Sequence, residues 1–197
     1  MRARDLSFVL IAVSFTAALA LVARSQPESQ VAVDDGPRFT RGNQMVRPDN
    51  YREWIYLSSG LGMSYTPGTA DADPSFDNVF VNPSAYKSFV ATGRWPEKTI
   101  FALEIRQSVS KGSINRKGHY QGEFAALEVH VKDERHFPGK WAFYGFNGPE
   151  KTASMIPTSA DCYSCHEQHG AVDTVFVQFY PTLLDVAKRQ GTIRTQY

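Results

Sequence analysis

Ala125-Ala126-Leu127-Glu128-Val129-His130-Val131-Lys132 decides the fold class. Leu127, Val129 and Val131 fall on one side of an extended chain, and Glu128, His130 and Lys132 fall on the other. That period of two marks a β-strand with one face in a core. Upstream, Lys98 to Arg106 is β-branched and aromatic, and downstream Trp141 to Phe146 is a second aromatic strand. Trp54 to Leu57, Asn78 to Val81 and Val175 to Tyr180 are shorter candidates. The polar, glycine-containing stretch from Ser108 to Gly122 reads as a hairpin loop. Helices flank these strands. One starts at Asn82-Pro83, makes a face of Tyr86, Phe89 and Val90, and stops at Gly93. Another opens at Pro181, buries Leu183, Leu184, Val186 and Ala187, and ends at Gly191. The pattern predicts an α+β domain: a mainly antiparallel sheet with a few flanking helices.

The chain has 197 residues, enough for one domain and an export segment. Arg2 and Arg4 precede an apolar run from Leu6 to Ala23, broken only by Ser14 and Thr16, which is the secretory pattern. Residues 1–25 are therefore expected to be a signal peptide, with cleavage among the small residues Ala18 to Ser25. The run is just long enough for a retained membrane anchor to be the alternative. Either reading puts the folded part outside the cytoplasm, in the periplasm. Residues 26–46 are polar, with Pro27, Gly36, Pro37 and Gly42, and read as a flexible linker to a domain at 47–197. A net charge of +1 supplies no field for nucleic acid.

The chain has two cysteines, spaced Cys162-Tyr163-Ser164-Cys165-His166. C-x-x-C-H is the pattern of covalent haem attachment. Two thiols on one helical turn can each add to one vinyl group of the porphyrin, and the histidine that follows can donate a nitrogen to the iron. Three other readings compete. A disulfide does not need the histidine. A thioredoxin-like pair should follow a strand and open a helix. A zinc site drawing on Cys162, Cys165, His166 and His169 would take its ligands from one segment, where structural zinc uses two. In an exported chain the haem reading is the strongest, with one haem c bound through Cys162 and Cys165 and ligated by His166. Thr158 or Ser159 can cap the helix carrying the motif, and Gly170 can end it.

The group opposite His166 decides function. Electron carriers commonly place Met or a second His there. No Met follows His166, although Met63 and Met155 precede it. His169, one helical turn on, should stay on the same side as His166. His119 and His136 sit in polar loops, and His130 reaches the iron only through a tertiary arrangement that the sequence does not fix. The simplest expectation is an open or water-occupied position that binds small ligands. Phe76, Phe80, Phe101 or Leu103 can line an apolar wall there.

From about Asn50 to Gly191 the chain resembles the cytochrome P-460 and cytochrome c′-β family. The matching segments are Asn50-Tyr51-Arg52-Glu53-Trp54, Val81-Asn82-Pro83 with Tyr86, Leu127-Glu128 with Val131-Lys132-Asp133, Trp141-Ala142-Phe143-Tyr144 with Phe146, Cys162 to His166, and Val175-Phe176 with Phe179-Tyr180-Pro181. The resemblance implies a β-rich haem domain, usually a homodimer, with five-coordinate iron and His166 proximal. It implies small nitrogen ligands: members bind nitric oxide, and some oxidise hydroxylamine, which also calls for a redox partner protein. Glu128 matches the distal carboxylate of the hydroxylamine-oxidising members and is the candidate catalytic residue. Those members also carry a lysine bonded to the haem edge. Leu103 stands at that position, and Lys98 lies on the opposite parity of the strand. The departure makes the chain look closer to the c′-β branch.

Overall fold

The structure is a computed structural model that describes residues 34–64 and 74–197. The export segment expected at 1–25 and the first part of the expected linker lie outside the described residues. Among those described, no helix is long and apolar enough to cross a membrane.

Five strands form the central sheet: β2 (Ile55–Leu61), β3 (Phe76–Val81), β4 (Ile100–Val109), β5 (Tyr120–Lys132) and β6 (Trp141–Phe146). They pair antiparallel in the order β2-β3-β4-β5-β6. A small second sheet joins β1 (Met45–Val46) to β7 (Thr152–Ala153). Among the described residues, three α-helices, α1 (Pro83–Thr92), α2 (Asp161–His169) and α3 (Pro181–Arg189), complete the α+β fold. Asn82 and Gly93 flank α1 as expected, and Gly93 sits at φ 69°, where a side chain would be strained. Phe89 is fully buried on α1, but Val90 is exposed and not part of its face. The strand expected at Val175–Tyr180 is instead a 3-10 turn over Val177–Phe179 leading into α3. The hairpin loop is shorter than its polar composition suggests, because β4 runs to Val109 and β5 starts at Tyr120.

Both faces of the sheet are covered. Leu127, Val129 and Val131 are buried with Ile100, Ala102, Tyr144 and Phe146 on one side. On the other, Val81, Phe101 and Trp141 pack with Phe89, Leu183, Val186 and Ala187 of α1 and α3. The first face is covered by residues read from sequence as linker, so that expectation is corrected over 34–46. Met45 is fully buried there, the Phe39 ring stacks on His136 at 4.5 Å, and Asp35 accepts the Ser84 N–H at 2.8 Å at the start of α1. An apolar sheet face must be covered, and this segment does it with isolated side chains that leave no period to read.

Candidate functional site

Antiparallel register places side chains in rows across the sheet. On the face toward α2, one row holds Val81, Phe101, His130 and Phe143. The next holds Ser58, Val79, Leu103 and Glu128, and the one beyond it Gly60, Asp77 and Ile105. Between this face and α2 lies a cavity of about 400 Å³. Cys162, Cys165 and His166 line it from the helix, and Phe101, Leu103, Glu128 and Asp77 line it from the sheet. The four residues singled out from sequence, Glu128, Cys162, Cys165 and His166, thus surround one space.

The helix carrying the motif starts at Asp161 with Ala160 as its cap, and neither Thr158 nor Ser159 caps it through a side chain. It is held to the sheet by Tyr163, whose hydroxyl accepts from the Phe143 N–H of β6 at 3.4 Å and donates to the Ile156 carbonyl at 2.9 Å. Gly170 ends the helix for a reason other than backbone freedom. A Cβ there would lie 2.6 Å from the Thr174 carbonyl carbon and 2.8 Å from the His166 oxygen. That close approach brings Thr174 to His166, and the His166 Nδ1–H donates to the Thr174 carbonyl at 2.7 Å. Such a bond fixes the tautomer and leaves Nε2 as the free donor atom. Burial holds His166 below the usual histidine range, although the Thr174 bond opposes it.

His130 is the residue the sequence could not place. It is buried on the His166 side of the cavity, stacked on Phe143 at 4.1 Å and edge-on to His166 at 4.8 Å. Its Nε2 lies 3.4 Å from Thr174 Oγ1, so Thr174 touches both imidazoles. Burial, and then the neighbouring His166, keep His130 neutral, well below its ordinary pKa. His169 points elsewhere, and its carbonyl accepts from Gln178 Nε2 at 2.7 Å. His119 and His136 are exposed.

Of the four residues proposed for an apolar wall, Phe101 and Leu103 line the cavity. Phe76 and Phe80 do not: their parity turns them to the opposite face, where Phe80 packs on Tyr51 and Tyr56 at 5.6 and 5.7 Å. Leu103 is the direct cross-strand partner of Glu128. Among the described residues, no lysine lines the cavity. Lys98 sits in the turn before β4 against Gly36, and the Lys111 carbonyl accepts from Tyr120 at the hairpin tip. Met63 lines the cavity beside Gly60, whose missing side chain makes room for the thioether, while Met155 stays outside it.

Glu128 and Asp77 face the space from the sheet, and Asp161 lines it from the helix. Glu128 is exposed to the cavity, and the protein around it raises its pKa by partial burial. Asp77, which the sequence reading missed, is half-buried, and its pKa is raised by burial and then by Glu128. Burial also pushes the Cys162 thiol up.

Taken as a donor set, this fits a c-type haem. Two unbonded thiols and an imidazole with its tautomer fixed converge on a slot walled by aromatic rings. Among the described residues, no group of three or more His, Cys, Asp and Glu side chains is arranged to hold a bare metal ion. The family model described as Cytochrome P460 matches residues 48–177. A search of curated proteins finds no match.

Proposed function

The chain belongs to the cytochrome P460 family and so binds haem, and from that premise we propose that it is an exported cytochrome with one haem bound covalently through Cys162 and Cys165, proximal His166, and an open distal side for small nitrogen ligands. The observation that carries this reading is the shared cavity: both thiols and His166 on the helix, Glu128 on the facing strand and, among the described residues, no histidine lining it beyond the His166 end. Haem supplies a redox-active iron when bound. The protein's own groups do the rest. Thr174 orients His166. Phe101 and Leu103 give the slot an apolar wall. Glu128 faces the slot with its pKa raised by burial, and can take a proton from an N–H or O–H ligand there. We assign nitric oxide and hydroxylamine as the ligand class, a periplasmic location, a homodimeric state and a protein redox partner.

Three measurements test this. Acidic organic extraction of the denatured protein is expected to leave haem on the polypeptide; haem in the solvent phase refutes the covalent assignment. The ferrous protein is expected to be high-spin and to bind nitric oxide directly. Turnover with hydroxylamine then separates an enzyme from a nitric-oxide-binding protein without turnover.

Met63 favours a second reading, an electron carrier with a sulfur ligand, because its thioether lines the cavity wall. A low-spin ferrous spectrum that is lost in Met63→Leu selects that reading.

A further inference from the structure

The acceptor that holds His166 belongs to a very short turn. Val172 and Val175 bridge each other, with N–H donors reaching across at 3.3 and 3.1 Å, so that only Asp173 and Thr174 lie between them. The two valines anchor the ends in the core. Asp173 sits at φ 59°, a left-handed backbone that a residue other than glycine adopts reluctantly. The direction of the Thr174 carbonyl therefore depends on what holds these two residues.

Strand β5 reaches both of them. Lys132 Nζ donates to Asp173 Oδ2 at 3.0 Å and to the Trp95 carbonyl at 3.1 Å. Two residues earlier on the same face, His130 Nε2 lies 3.4 Å from Thr174 Oγ1. His130 stands in an aromatic row, between Phe101 and Phe143. A phenylalanine would fill that buried place with no polar atom to satisfy. What the imidazole adds is the nitrogen that meets Thr174. The Lys132 bond is the shorter and is charge-assisted, so it carries more of the hold. The His130 contact is at the long end of hydrogen-bond length, but it acts on the residue whose carbonyl matters.

We propose that His130 and Lys132 are positioning residues, which clamp the Asp173–Thr174 turn so that the Thr174 carbonyl meets the His166 Nδ1–H at 2.7 Å. This rests on the reading above in which His166 ligates the haem iron. Neither residue needs to touch the iron or its ligand, because both act through how strongly the imidazole donates.

The test reads the haem-loaded protein by its reduction potential and by the iron–histidine stretching band of the ferrous state. Haem content and the unfolding midpoint are the controls. Thr174→Val removes Oγ1 and leaves the carbonyl. His130→Phe keeps a ring and removes Nε2. Lys132→Met keeps the stem and removes the charge. Each is expected to lower the stretching frequency and to move the reduction equilibrium about three- to tenfold toward the ferrous form, the worth of one ordinary hydrogen bond. Thr174→Ser, which keeps the hydroxyl, is expected to stay near the parent. In a Thr174→Val background His130→Phe should add nothing, because the two changes remove one contact. The same His130→Phe shift with or without Oγ1 would mean that His130 acts directly on His166, and overturns the clamp. Parental potential and band in Thr174→Val and Lys132→Met, with haem retained, also overturn it and leave the function standing. A parent whose haem is not held by His166 overturns the function, and this inference with it.

Discussion

Gly170→Ala should damage the site without replacing any residue in it. Gly170 sits at φ −67° and ψ 125°, a conformation that alanine adopts freely, so the cost is steric only. Its Cβ would lie 2.6 Å from the Thr174 carbonyl carbon, against an ordinary contact of 3.4 Å or more. Relief requires a shift of about 0.8 Å, and the neighbour is backbone that cannot rotate away. The Thr174 oxygen is the one that His166 Nδ1–H reaches at 2.7 Å. Moving it by that distance would stretch the bond to about 3.5 Å, beyond useful length. Overpacking and one buried hydrogen bond together predict a loss of about 2–4 kcal/mol in unfolding free energy. With its Nδ1–H no longer held, His166 would be a weaker donor to a haem iron under the proposed function, and the reduction potential should rise. Denaturant unfolding and potentiometric titration of the haem-loaded variant read the two effects. Gly139→Ala is the control, because its Cβ meets only the Trp141 carbonyl at 3.9 Å. A Gly170→Ala protein with parental stability and parental potential would falsify the claim that this close approach sets the His166 bond.

If the protein turns over hydroxylamine, Glu128→Gln should lower the rate and leave haem content unchanged; unchanged kinetics would return Glu128 to the role of an ordinary wall residue. Peptide mass spectrometry after proteolysis should find haem only on the peptide holding Cys162 and Cys165. A bridge to the Lys98–Lys111 region would mean that Leu103 does not face the haem edge. Glu104→Gln should destabilise the fold by about 2–3 kcal/mol at neutral pH, because Tyr51, Arg52 and Arg106 all donate to that buried carboxylate. Burial alone would raise the Glu104 pKa, but those donors outweigh it and hold it below the ordinary glutamate range. A group with a lowered folded pKa stabilises above its unfolded pKa and loses that contribution as pH falls through the folded value. The stability gap between parent and Glu104→Gln should therefore close in acid; a gap independent of pH refutes the ionic contribution.

The strand parity of Leu127 to Lys132 was legible because a two-residue period is local. What covers each face was not. Glu128 and His130 share a face in sequence, yet one opens onto a cavity and the other is sealed between Phe143 and His166. That difference comes from α2, more than 30 residues away. Phe76 and Phe80 were misread for the same reason: an aromatic residue on a short strand signals burial but not the side, and the register with β4 decides the side. Asp77 was missed because the strand was read as starting at Asn78, and only pairing across β4 brings Asp77 toward the row of Glu128. The thiols and the imidazole needed no long-range information, since their spacing is their chemistry. Residues 34–46 were read as linker because polar composition hides a few anchoring side chains such as Phe39 and Met45.

The strands of the central sheet are spatial neighbours in the same order as they are chain neighbours, from β2 through β6. No later strand has to insert between earlier ones, so each ladder closes over a short span of chain at small entropic cost. Residues 161–169, which carry the sulfurs, come after the last of these strands. A chain that emerges N-terminus first, from a ribosome or a translocation channel, can thus complete the wall bearing Asp77, Leu103 and Glu128 before Cys162 arrives. Covalent attachment would then close a slot whose far side already has its shape, and errors in attachment should leave that side intact.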